Sequence, residues 1–199
     1  MLLFQHWAEN IPRYNSSDGK VKVTVWAGEY AGLKGLPPPP DSYGSSLDSE
    51  LAILLFQLQP GGRAVLPAAR GGQAVNRKAY FVEGSSLLVG SQSIPPNSAV
   101  TLNAGESETT LVNNDSSAVA EVLVLQGKPI GEPVAQQGPF VMNSMAEIQQ
   151  AYADYRRTQF GGWPWEQDAM VFPREKGRFA LLNGKEQFPP TDRQSNIEL

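Results

Sequence analysis

Between positions 20 and 125 no apolar run goes far before Gly, Pro, Asn or Ser interrupts it, a punctuation that suits short strands joined by turns and leaves little room for long helices. The first run, K-V-K-V-T-V-W from Lys20, sets Val21, Val23 and Val25 against Lys22 and Thr24, the two-residue period of a strand with one wet face. Residues 50–58 are almost continuously apolar and are cut off by Pro60, Gly61 and Gly62, which predicts a strand buried on both faces. Further short strands are predicted over 79–82, 86–89, 99–102, 109–112 and 118–125. Strands spaced roughly ten residues apart indicate a β-sandwich or barrel, jelly rolls included. The expected fold is therefore mainly β, and 19 glycines and 16 prolines against 18% charged residues agree with it.

Two segments depart from this pattern. Gly32 to Tyr43 holds four consecutive prolines, Pro37 to Pro40, which lack backbone donors and predict an extended surface loop. At Ser144 the string S-M-A-E is a capping box, and Met145, Ile148, Ala151, Tyr152 and Tyr155 then recur three or four residues apart as one apolar stripe, predicting a core-packed helix. Arg156 and Arg157 suit the negative end of that helix, and Phe160-Gly161-Gly162 ends it. Beyond it Trp163, Trp165, Phe172 and Phe179 suggest an irregular segment anchored by aromatics, with a mobile polar tail from about Gly184. No internal repeat is present.

Composition excludes several chemistries. A net charge of −4 provides no basic field for a phosphate backbone, so direct nucleic-acid binding is not expected. The absence of cysteine removes disulfides, thiolate metal sites and cysteine nucleophiles. The opening MLLFQHWAENIP has no basic n-region or cleavage site, and no apolar run approaches the roughly 20 residues that span a bilayer; a cytoplasmic protein without membrane partners is expected. His6 is the single histidine, so this chain cannot build a facial triad, a three-histidine centre or an HExxH site, each of which needs at least two imidazoles. No G-x-S-x-G elbow accompanies it, the pairs Gly61-Gly62 and Gly71-Gly72 lack phosphate-loop spacing, and Glu106 with Glu108 reads as a solvated turn. No catalytic, cofactor-binding or metal-binding residue is assigned.

From Gln126 the string Q-G-K-P-I-G-E-P-V-A-Q-Q-G-P-F-V-M-N, continued by E-I-Q-Q-A-Y-A-D-Y-R-R-T-Q-F-G from Glu147, closely resembles the carboxy-terminal signature of the pirin family. W-A-E-N-I-P-R at Trp7, V-W-A-G-E-Y at Val25, P-P-P-P-D-S at Pro37 and F-G-G-W-P-W at Phe160 are similar to bacterial-style pirin-like sequences, so the resemblance runs from Leu3 to about Ala180. It implies a cupin-type jelly-roll sandwich or barrel with one carboxy-terminal helix and an irregular wrapping tail. The implied layout is an inter-domain arm over 1–20, the pirin C-terminal cupin domain over 21–160, and an extension with a mobile tail over 161–199.

Pirin relatives are bicupins whose amino-terminal domain holds iron through three histidines and a glutamate, and they are associated with quercetin 2,3-dioxygenase activity and, in eukaryotes, with nuclear transcription. This chain resembles the carboxy-terminal half. Y-F-V-E-G at Tyr80, with Gly90 beyond, looks like the tail of the first cupin motif, yet Asn76, Arg77 and Lys78 stand where histidines would be sought. Pro95 to Val100 faintly resembles the second motif, and no histidine follows. The expectation is a non-catalytic domain with no cofactor of its own, partnered by an N-terminal pirin cupin domain or by a second copy of itself. Two alternatives are part of an iron-dependent dioxygenase whose metal lies in another domain, and a small-ligand module with a cavity lined by Tyr80 and Phe81. A nuclear location is the alternative if the source is eukaryotic.

Overall fold

The computed structural model describes residues 6–105, 108–163, 165–167, 171–182 and 184–190. The chain divides into two compact units, Met1–Ile130 and Gly131–Leu199, so the cupin domain expected over 21–160 takes in parts of both.

The first unit is a sandwich of two antiparallel sheets. Its strands are β1 (Arg13–Asn15), β2 (Val21–Ala27), a short ribbon of β3 (Glu29–Tyr30) and β4 (Leu33–Lys34), β5 (Ala52–Leu58), β6 (Arg63–Leu66), β7 (Asn76–Glu83), β8 (Leu87–Val89), β9 (Gln92–Ile94), β10 (Ser98–Asn103), β11 (Thr109–Asn113) and β12 (Ala120–Gly127). The larger sheet runs β1-β2-β5-β12-β7-β10 and the smaller β6-β11-β8-β9, so strands distant in sequence become neighbours, as in a jelly roll. Alternation decides what enters the space between the sheets. Val21, Val23 and Val25 face inward beside Ala52, Leu54, Phe56 and Leu58 and beside Ala120, Val122 and Val124, and these join Leu66, Leu87, Val89 and Leu111 of the smaller sheet in one core.

Several expectations change here. The arm over 1–20 contributes β1, whose Tyr14 pairs with Val23, because the chain lies along the edge of β2 and satisfies its ladder there. Strand β5 is not sealed on both faces: Ile53, Leu55 and Gln57 are half-buried on the side away from the core. The predicted loop from Gly32 opens with β4, and its prolines run on into short 3-10 turns at Tyr43–Ser45 and Leu47–Ser49.

One end of the sandwich is closed by Asn113. Its backbone exchanges hydrogen bonds with Gly61 and Gly62, while Nδ2 donates to the Leu58 and Ala118 carbonyls, both at 2.8 Å. Next to it Asp115 accepts the amides of Ser117 (2.7 Å) and Ala118 (2.8 Å) and the Ser85 hydroxyl. The Ala118 amide first, then the Ser85 hydroxyl, favour the carboxylate and hold Asp115 well below the usual carboxylate range. A depressed folded-state pKa stabilises above the unfolded value of about 3.9, and the gain is lost as pH falls through the lower folded value. Wild type is therefore expected to exceed Asp115→Asn in urea midpoint at pH 7, with the gap unchanged down to about pH 4 and closing below it. A gap that stayed unchanged below pH 4 would show that the carboxylate charge is not what ties this turn.

The second unit contains the hairpin β13 (Ala135–Gln137) and β14 (Phe140–Met142), helix α1 (Met145–Thr158) and the hairpin β15 (Ala180–Leu182) and β16 (Lys185–Gln187). Between β13 and β14 Gly138 takes φ 55°, and a Cβ there would crowd the Tyr152 hydroxyl, so a larger residue strains the backbone and must push that hydroxyl aside. The predicted cap forms in part: Ser144 Oγ accepts the Glu147 amide at 3.3 Å, but its hydroxyl donates to the Glu147 carboxylate (2.8 Å) in place of the expected return bond to the Ser144 backbone. Ile148 and Ala151 are buried, whereas Met145 and Tyr155 are exposed, so the core stripe is narrower than the sequence predicts. The ring of Phe140 meets Tyr152 edge-on at 4.8 Å and Phe160 at 6.0 Å, joining hairpin to helix. The extension over 161–199, expected to be irregular, supplies the last hairpin; Lys176 sits over the rings of Phe172 and Phe179. Residues 191–199 of the expected mobile tail lie outside the described residues. Among the described residues no helix is long and apolar enough to cross a membrane.

Candidate functional site at the open end of the barrel

The end of the sandwich opposite Asn113 is open because the strands that reach it feed long connections. β2 and β6 leave there, β5 and β7 begin there, and β12 ends there with Gln126. Gly28 turns the chain out of β2 at φ 80°, and a Cβ would lie 2.5 Å from the Leu51 carbonyl oxygen, so only glycine lets the two strands come together at this rim. Ser49 ties the next stretch of this rim: it is buried, its carbonyl accepts the Lys128 amide at 2.7 Å, and its hydroxyl accepts the Leu51 amide at 3.2 Å. Gly28, Ser49 and Leu51 line a cavity of about 660 Å³.

Its floor is polar. Arg77, on β7, points inward and is only 4% exposed. Nε donates to Gln126 Oε1 at 2.7 Å and Nη1 to the Pro67 carbonyl at 2.9 Å. Gln126 Nε2 in turn donates to the Glu50 carbonyl at 2.9 Å, and the Glu50 carboxylate accepts the Arg70 amide at 3.0 Å. Glu50 occupies the left-handed region at φ 45°, which aims its backbone and side chain at different partners. Burial pushes the Arg77 guanidinium below its usual range, and the field of Glu50 opposes that shift. Among the described residues no ion pair includes Arg77.

Tyr80 and Phe81 do not line a common cavity. Successive residues of a strand point to opposite faces, so Phe81 packs in the core while Tyr80 stands outside, over a second hollow of about 460 Å³ with Lys78, Thr101 and Leu125. Glu83, at the end of the motif-like segment, is exposed, as is His6. Glu106 lies outside the described residues, so the solvated turn expected for Glu106 and Glu108 is not described.

The iron implied by the resemblance does not fit these residues. Inward positions on β7 are Arg77, Ala79 and Phe81, and those opposite are Ala64, Leu66 and Leu111: one permanent cation and hydrocarbon. Among the described residues no group of three or more His, Cys, Asp or Glu side chains is placed to hold a metal ion. Imidazole and carboxylate donors are what such a centre requires, and a guanidinium at its position would repel the metal.

A protein-family comparison matches residues 53–161 to the pirin C-terminal cupin domain. A Pseudomonas aeruginosa protein provisionally named a quercetin 2,3-dioxygenase is 40% identical over 152 residues, covering 74% of this chain and 49% of its own. Human pirin is 32% identical over 160 residues, again 77% of this chain and 49% of its own. In the crystal structure of quercetin 2,3-dioxygenase from Acinetobacter baumannii the similar region superposes with a TM-score of 0.63 at 27% identity, covering 78% of this chain and 49% of that one. The chain spans about half the length of the curated relatives it matches. On a matched segment that covers more than half of its length, this chain belongs to the pirin family and carries its C-terminal cupin domain.

Proposed function

We propose that this domain is a non-catalytic cupin that acts by packing against a second, metal-holding cupin domain, and that any oxygenase chemistry of the assembly belongs to that partner. The observation that carries this reading is the hydrocarbon interior, which fills with Phe56, Leu111 and Val122 the space where cupin metal ligands would have to meet. Support also comes from the relatives, which are about twice as long as the matched part of this chain. The outer side of the larger sheet adds to it. An antiparallel sheet with one solvated face should be polar there, yet Ile53 pairs with Leu125, and Leu123 lies between Leu55 and Tyr80, with Trp26 and Val82 exposed nearby.

The test has two parts. Purified chain incubated with ferrous iron and desalted is expected to retain far less than one iron per polypeptide by elemental analysis. Mixed with the separately produced amino-terminal half of the Pseudomonas relative, it is expected to elute as a one-to-one complex in size exclusion with light scattering, and Leu125→Arg is expected to weaken that complex at least about tenfold. Stoichiometric iron in the isolated chain, or failure to associate at tens of micromolar, would overturn the proposal.

A further inference from the structure

We propose that the open end of the barrel binds a small organic carboxylate with an apolar body, the Arg77 guanidinium receiving the carboxylate. Drawing most of a guanidinium out of water is unfavourable unless a counter-charge offsets it, and a methionine of similar length would fill the same space without that cost. Since no buried side-chain nitrogen is left unpartnered among the described residues, Nη2 is the part of this head that opens to the cavity. Here the counter-charge is not supplied at contact distance by the described protein residues. Two of the five guanidinium N–H groups go to Gln126 and Pro67, which fixes the plane of the head, while Nη2 has no protein acceptor among the described residues. The same side chain lines the 660 Å³ cavity, a size usual for small-molecule sites. An oriented guanidinium with free donors is matched by a carboxylate, whose two oxygens take its parallel N–H groups.

The rest of the cavity selects for the ligand's body and against greater charge. Leu36, Pro37, Leu51, Leu54 and Leu66 offer hydrocarbon walls, suited to a ring or short chain. The charged lining residues are Lys34, Arg70 and Arg77 against Glu29 and Glu50. One net positive charge is balanced by a monoanion. The Glu50 carboxylate is the main opposing group, and its engagement with the Arg70 amide holds it on the loop side. Arg77 is also one of the three residues, with Asn76 and Lys78, that stand where a cupin-like motif would have its histidines sought.

Benzoate and its neutral isostere benzamide are the probes, titrated at pH 7 into the full chain by calorimetry and amide NMR. Benzoate is expected to bind saturably, and benzamide about tenfold or more weakly, as loss of a charge-assisted bond predicts. Arg77→Met should weaken benzoate by a similar factor while circular dichroism and melting remain those of a folded domain. Glu50→Gln keeps an acceptor for the Arg70 amide, removes the repelling charge and should tighten benzoate several-fold, so the proposal stays testable if Arg77→Met fails to fold. Equal binding of the two probes, no saturable benzoate signal, unchanged affinity in folded Arg77→Met, or unchanged or weaker affinity in Glu50→Gln would each overturn it. Neither iron content nor domain association enters these readouts, so this site and the metal-free reading succeed or fail separately.

Discussion

Truncation of Phe56 to alanine is expected to remove about 3–5 kcal/mol of folding stability, measured as a fall in urea midpoint at constant slope. The ring is fully buried on β5, between Val23 of β2 and Val122 of β12 in the ladder, and meets Tyr30 edge-on at 5.1 Å. Tyr30 in turn packs on Tyr14 at 5.4 Å, so one deletion strips support from the ribbon at the open end and from the edge strand β1. With domain stabilities of about 5–15 kcal/mol, such a loss brings the variant near the threshold of folding at 37 °C. Phe56→Leu, which keeps most of the volume, should cost about 1 kcal/mol. A loss below about 1 kcal/mol for Phe56→Ala would mean that the interior is a chamber with room to spare, and the argument that it is a packed core without space for a metal centre would fail with it.

The second large effect is expected at the closed end. Asn113→Asp replaces an amide that donates to Leu58 and Ala118 with a carboxylate that faces those two carbonyl oxygens. Each carbonyl left without its donor costs about 1–3 kcal/mol, so a total of about 2–6 kcal/mol is expected near neutral pH. The sign of the pH dependence follows from linkage. Burial beside two carbonyls favours the protonated acid, so the introduced carboxyl has a raised folded-state pKa, binds more protons folded than unfolded, and makes the variant lose stability as pH rises through that value. Urea midpoints at pH 4.5 and 7.5 check this, with Asn113→Leu as the variant whose penalty should not change with pH. A pH-independent penalty in Asn113→Asp would place the side chain in water and remove Asn113 as the tie between β5, β11 and the turn before β12.

β2 was legible from its alternation, Val21, Val23 and Val25 against Lys22 and Thr24, whereas β5 was read from the length of its apolar run, and only the structure shows one of its faces half-open. From short apolar runs between turn residues β8 and β12 could be read as well. β6, β9 and the hairpin of β13 and β14 could not, since Q-S-I or A-Q-Q is too short to carry a period; they become strands only because a neighbour offers its ladder. The capping box at Ser144 was equally local, and the helix starts there.

The site divides in the same way. That this chain lacks the imidazoles of a cupin metal centre is a matter of counting, and the motif-like segment around Tyr80 already put Asn76, Arg77 and Lys78 where histidines would be sought. That Arg77 faces the interior, while Tyr80 turns outward from Phe81, required the register of β7 against β12. Its two fixed partners, Pro67 and Gln126, lie 10 and 49 residues away. Local pattern and residue type therefore settled the longer strands and which chemistry is excluded, because both depend on neighbours a few residues apart. Sheet order alone decided that a buried guanidinium, a glutamine and an apolar rim share one cavity, because burial and charge pairing are set by whatever distant chain the fold brings alongside.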